Sequence, residues 1–97
     1  MHTPLDPPAR HLLRHTLATL AYRAGKVLRD APADFATFRL TPASRSAVEI
    51  LSHMVDLMGW AERLACGEYR WEAGGVGEWD AAVEQFFAGL ARVDAAL

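Results

Sequence analysis

The sequence predicts an all-α fold, an antiparallel helix bundle, on three observations. Apolar residues recur at spacings of three and four over three separate stretches, the period of a helix with one buried face. Each stretch is bounded by proline, glycine or capping residues. Strand alternation of useful length is absent, and connectors of about a dozen residues join helices of roughly 20 to 24 residues. A chain of 97 residues is a single domain.

The first eight residues hold Pro4, Pro7 and Pro8 and read as an extended arm. Asp6 is a plausible N-cap, and Pro8 suits a first turn, where its missing N–H costs nothing. The first helix is expected from about Ala9 to Arg29. Leu13, Leu17, Leu20, Ala24 and Val27 form its apolar stripe, widened by Ala21 and Leu28. Asp30, Pro32 and Asp34 end it. Residues 30–42 are a connector whose apolar anchors are Phe35, Phe38 and Leu40.

Thr41 and Pro42 signal a second start, with Thr41 as N-cap and Pro42 as first helical residue. This helix is expected over 42–66, with Gly67 as its stop. Leu51, Met54, Val55 and Met58 form one apolar sector; Ile50, Leu57, Ala61 and Leu64 form another, about 100° round. So wide a face asks for neighbours on more than one side. Glu49, Ser52, Asp56 and Arg63 make a polar strip. Gly59 suggests close packing. Residues 67–77 are glycine-rich loop, with Tyr69, Trp71 and Val76 expected to fold back onto the bundle. The third helix is expected over 78–97, with a stripe of Trp79, Val83, Phe86, Leu90, Val93 and Leu97 and acidic residues near its N-terminus.

Composition narrows the function classes. Ten Lys+Arg against twelve Asp+Glu give a net charge of −2, so the basic excess of a nucleic-acid module is missing. One cysteine forms no internal disulfide, and no apolar run approaches the roughly 18 residues of a membrane span. The N-terminus lacks a signal-peptide pattern. The expectation is a cytoplasmic domain that binds neither nucleic acid nor membrane.

Few residues carry chemistry. His2 lies in the N-terminal arm and is expected in solvent. His11 and His15 are spaced i, i+4, a recurrent metal-site spacing, yet the wheel puts them opposite the apolar stripe, on the outer face. His53 sits mid-helix at the border of an apolar sector and the polar strip, with Trp60 on its face and Glu49 and Asp56 as helical neighbours. It is either one ligand of a divalent metal, oriented by a carboxylate, or a partly buried histidine satisfied by Glu49 or a backbone carbonyl. One histidine makes no metal site; a catalytic zinc takes about three protein ligands. Cys66, at a helix C-terminus where the dipole opposes a thiolate, reads as a packing residue. The tryptophans and Phe86–Phe87 read as core. Gly74-Gly75-Val76-Gly77 lacks the strand and GK[ST] ending of a phosphate loop, and Ser44 and Ser46 read as capping or first-turn residues.

The run TPASRSAVEILSHMVDLMGWAERLACGE resembles the second helix of the DinB-like superfamily, most specifically from Ser46 to His53. The long first helix, the loop and the amphipathic third helix follow that family's order. The resemblance implies an up-down-down-up four-helix bundle, often dimeric. Many members bind zinc, nickel or another divalent metal through three histidines, one on helix two and an HxxxH pair on a later helix. By this resemblance His53 takes the helix-two position. The implied activity is that of a metal-dependent enzyme, a thiol S-transferase or a hydrolase, acting on a low-molecular-weight thiol or other small molecule, with the metal activating a thiol or water. No histidine follows His53, so the HxxxH pair and the fourth helix are absent from residues 1–97. The chain is therefore expected to be an incomplete bundle that binds metal poorly alone. A non-catalytic helical module for dimerisation or partner binding is the alternative, and a homodimer is the expected assembly.

Overall fold

The computed structural model describes residues 5–97; His2 and Pro4, placed by sequence in an extended arm, lie outside them. Helix α1 spans Pro7–Leu28. Asp6 caps it as expected, its Oδ1 accepting from the Ala9 N–H at 2.9 Å. Both Pro7 and Pro8 fall inside the first turn, two residues earlier than the apolar pattern indicates. Neither lacks anything there, because first-turn N–H groups have no intrahelical partner.

The connector contains one 3-10 turn, Phe35–Thr37. Of its three expected anchors only Phe35 is partly buried, edge-on to Trp79 with ring centroids 5.5 Å apart. Phe38 is half exposed and Leu40 is 83% exposed.

Helix α2 spans Ala47–Ala65, five residues shorter at its start than the Thr41-Pro42 signal predicts. The reason is local. Ser46 and Glu49 form a capping box: the Ser46 hydroxyl accepts from the Glu49 N–H at 3.3 Å, and the Glu49 carboxylate accepts from the Ser46 N–H at 3.0 Å. Two orphan donors are satisfied at once, which outweighs a single Thr cap. Thr41 instead closes a turn, its carbonyl accepting from the Ser44 N–H at 3.0 Å. The C-terminal end follows the sequence: Gly67 takes φ +85°, and the Glu68 and Gly67 N–H groups bond back to Arg63 and Leu64 carbonyls.

Helix α3 spans Trp79–Ala96, within a residue or so of expectation. Val83, Phe86, Leu90 and Val93 of its stripe are buried, Phe86 completely. With Leu51 and Ala82 they form the buried apolar core, flanked by Met54, Val55 and Met58 from α2 and Leu17, Ala21, Ala24 and Leu28 from α1.

The directions of the three helices differ from a simple antiparallel bundle. Arg14 near the start of α1 pairs with Asp94 near the end of α3 at 2.9 Å, and Arg29 just past α1 reaches Glu84 at 3.4 Å, so α1 and α3 are antiparallel. Ser52, Met58 and Glu62 of α2 meet Gly77, Gly89 and Arg92 in the same order, so α2 and α3 are parallel. The order is up, down, down. A parallel pair needs a return, and residues 67–78 supply it, running back along α2.

Candidate functional site

The polar strip of α2 is where that return attaches. Arg63 Nε donates to the Arg70 carbonyl at 2.9 Å, Asp56 Oδ1 accepts from the Gly74 N–H at 3.0 Å, and Ser52 Oγ accepts from the Gly77 N–H at 3.1 Å. Backbone groups with no secondary-structure partner are satisfied by side chains chosen at i, i+4 and i+11, three positions on one helix face. Of the loop residues expected to pack, Trp71 does so in part, edge-on to Trp60 at 6.0 Å. Tyr69 and Val76 are exposed, Tyr69 by 86%.

His53 lies beside this return. Its side chain is exposed rather than facing the bundle interior, with its ring 5.9 Å from that of Trp71. Trp60, Trp71 and His53 therefore form one aromatic cluster on the outside of α2. The carboxylates expected to orient His53 are used elsewhere. Glu49 accepts from Ser46 and pairs with Arg39 at 2.7 Å, and Asp56 holds Gly74. Bonding to Ser46, with Arg39 adding its charge, holds the Glu49 carboxyl below the usual carboxylate range. A small pocket of about 240 Å³ lies between His53 and the loop, lined by Arg45 and Val76 among others. Among the described residues no group of three His, Cys, Asp or Glu is placed to hold a metal ion. Both carboxylates near His53 already have cationic or N–H partners.

His11 and His15 are exposed, as the wheel indicates, but they also line an open groove between α1 and α3. The cause is a rotation of α1. Its side against α3 carries Arg14, Leu17, Ala21, Ala24 and Leu28, about 60° from the stripe expected from Leu13 to Val27. Arginine pairing with Asp94 and the small surface of Ala21 allow this closer approach. Consequently Leu13, Leu20 and Val27 are left partly exposed, by 42%, 38% and 66%, together with Leu5 and Leu12. Cys66, expected inside, is the exposed C-cap of α2.

The fold and these sites define a three-helix protein with one partly exposed apolar flank on α1. Comparison with protein-family models, curated proteins and solved structures returns no match.

Proposed function

We propose that this chain is a helical association module that forms a homodimer, the α1 flank of each copy docking on α2 of the other. The observation that carries this reading is the uncovered run of Leu13, Leu20 and Val27, with Leu12 beside it. Contiguous exposed apolar surface of this kind marks an interaction site. Two features point to a second copy. By helical geometry, the α1 flank and the sector of α2 with half-exposed Ile50 and partly buried Leu57 and Leu64 turn to the same side of α3. A two-fold axis along the bundle then sets each α1 antiparallel to its partner's α2, an isologous contact. Charge also matches. Residues 7–29 carry five cationic side chains and no carboxylate, whereas α2, residues 47–65, carries three carboxylates against one arginine.

Sedimentation across the micromolar range tests it. The expected result is a dimer that weakens with salt and becomes a folded monomer in Leu13→Glu/Leu20→Glu. A compact monomer for the unaltered chain at all concentrations would overturn the proposal.

A second reading has one observation in its favour. The up-down-down order, with a long return before α3, is the order that the resemblance to the DinB-like superfamily implies. On that reading the same uncovered sectors receive a fourth helix of a longer protein, and His53 contributes to a zinc or nickel site in a thiol transferase or hydrolase. An HxxxH on an amphipathic helix encoded beyond Leu97 would support it, and a reading frame without one would count against it. For the 97-residue chain itself, calorimetry should give no sub-micromolar zinc or nickel binding. Tight binding lost in His53→Ala would favour this second reading over the first.

A further inference from the structure

We propose that the groove between α1 and α3 binds an amphiphilic carboxylate, a medium-chain fatty acid or a molecule of that shape. The groove lies on the flank of α1 opposite the leucine run, so this inference does not rest on the dimer. It is an open groove of about 690 Å³. Its walls are segregated along their length. One end carries Arg10, His11, Arg14 and His15 from the first half of α1, with Asp94 of α3 as the acidic side chain among its lining residues. The other end is apolar, made by Leu17, Ala18 and Ala21 of α1 and by Phe87, Leu90 and Ala91 of α3. Three alanines on facing helices are what keep this stretch open: larger side chains there would fill it.

The charged end has spare cationic capacity. Arg14 spends its fork on Asp94, through bonds of 2.9 and 3.2 Å. That pair neutralises Asp94 as a repulsive group. Arg10 makes no ion pair or side-chain hydrogen bond among the described residues, yet its charge reaches the same end of the groove and helps hold the Asp94 carboxyl below its usual range. A guanidinium with free donors beside a carboxylate-sized opening is a bidentate carboxylate binder. From His11 to Ala21 the groove runs about 15 Å along α1, enough for a head and an extended acyl chain. A polar ligand would leave the alanine–phenylalanine end unused, and a neutral hydrocarbon would leave Arg10 unanswered, so the segregation selects an amphiphile with an anionic head.

The test uses the 97-residue chain and dodecanoate below its micelle concentration, followed by calorimetry and by methyl NMR of the alanines. The expected result is saturable one-to-one binding, with shifts at Ala18, Ala21 and Ala91. Arg10→Gln should weaken it roughly tenfold, the loss of one charge-assisted contact. Ala21→Trp should abolish it by filling the apolar end, while Leu20→Glu, on the other flank, should leave it unchanged. Circular dichroism checks that each variant is folded. Equal affinity for dodecanol or dodecyltrimethylammonium would overturn the proposal, as would indifference to Arg10→Gln or loss in Leu20→Glu. Binding to anionic phosphatidylglycerol vesicles with none to monomeric dodecanoate would also overturn it, and would assign the basic face of α1 to a lipid surface.

Discussion

Gly89 of α3 lies so close to Met58 of α2 that a Cβ on Gly89 would stand 2.8 Å from the Met58 Cβ. Parallel packing of α2 on α3 depends on this approach. A helical glycine normally costs about 1 kcal/mol relative to alanine, so Gly89→Ala gains propensity but forces the helices apart. Overpacking of this kind costs about 1–3 kcal/mol, and the net change should be destabilising. Gly59, the glycine that the sequence suggested for close packing, meets only the flexible tip of Arg63 at 3.5 Å. Gly59→Ala should therefore stabilise, by about 0.5–1 kcal/mol. Urea unfolding of the two variants side by side checks the opposite signs.

Phe86 is the largest fully buried side chain of the core. It is 0% exposed, stacks edge-on with Phe87 at 5.5 Å and lies in the cluster with Leu51 and Leu90. Phe86→Ala should cost about 3–5 kcal/mol. Against a typical domain stability of about 5–15 kcal/mol that is a large share. The expected outcome is loss of the cooperative thermal transition near room temperature, followed by circular dichroism.

Acid should destabilise the chain through two identified carboxylates. Hydrogen bonds from Ser46, and then the Arg39 charge, lower Glu49; the hydrogen bond and charge of Arg14 lower Asp94. A carboxyl lowered in the folded state contributes stability that is fully present above its unfolded value, near 4. That stability is lost as pH falls through the lowered folded value. The melting temperature should therefore drop below about pH 4. The drop should be shallower in Ser46→Ala and in Arg14→Gln. At neutral pH, Ser46→Ala should itself cost about 1 kcal/mol as a lost cap.

The return loop should open locally rather than with the whole fold. Its anchors, Ser52 and Asp56, each hold one loop amide. Asp56→Ala should raise hydrogen exchange at Gly74 by an order of magnitude, on the loss of about 1.4 kcal/mol of local protection. Exchange at Val83 and Leu90, in the core of α3, should stay unchanged. Trp71 fluorescence should shift to the red as its contact with Trp60 loosens.

Much of the fold was legible because its signals are local. Asp6 capping, the Gly67 stop and the Val83–Phe86–Leu90–Val93 stripe each depend on a few neighbouring residues, and each stands where the sequence puts it. The start of α2 was misread although its signal was local as well: Ser46 with Glu49 is a capping box, and it outcompetes Thr41-Pro42. The candidate site was far less legible. His53 was expected at an apolar border with Glu49 or Asp56 as its partner, but Ser46, Arg39 and Gly74 take both carboxylates. Those competitors lie up to 18 residues away, and periodicity carries no information about them.

By itself, then, the sequence determined that three helices form and where most of them end, because propensity, capping and the 3.6-residue period act within a turn or two. Which face of each helix is buried was decided only by tertiary structure. On α1 the five-residue stripe and the side centred on Ala21 are both plausible hydrophobic faces, separated by about 60°. The side centred on Ala21 packs against the core, with Arg14 and Arg29 reaching Asp94 and Glu84 across 80 and 55 residues of chain. That choice uncovers Leu13, Leu20 and Val27 and opens the groove beside Arg10. Both proposed sites follow from it.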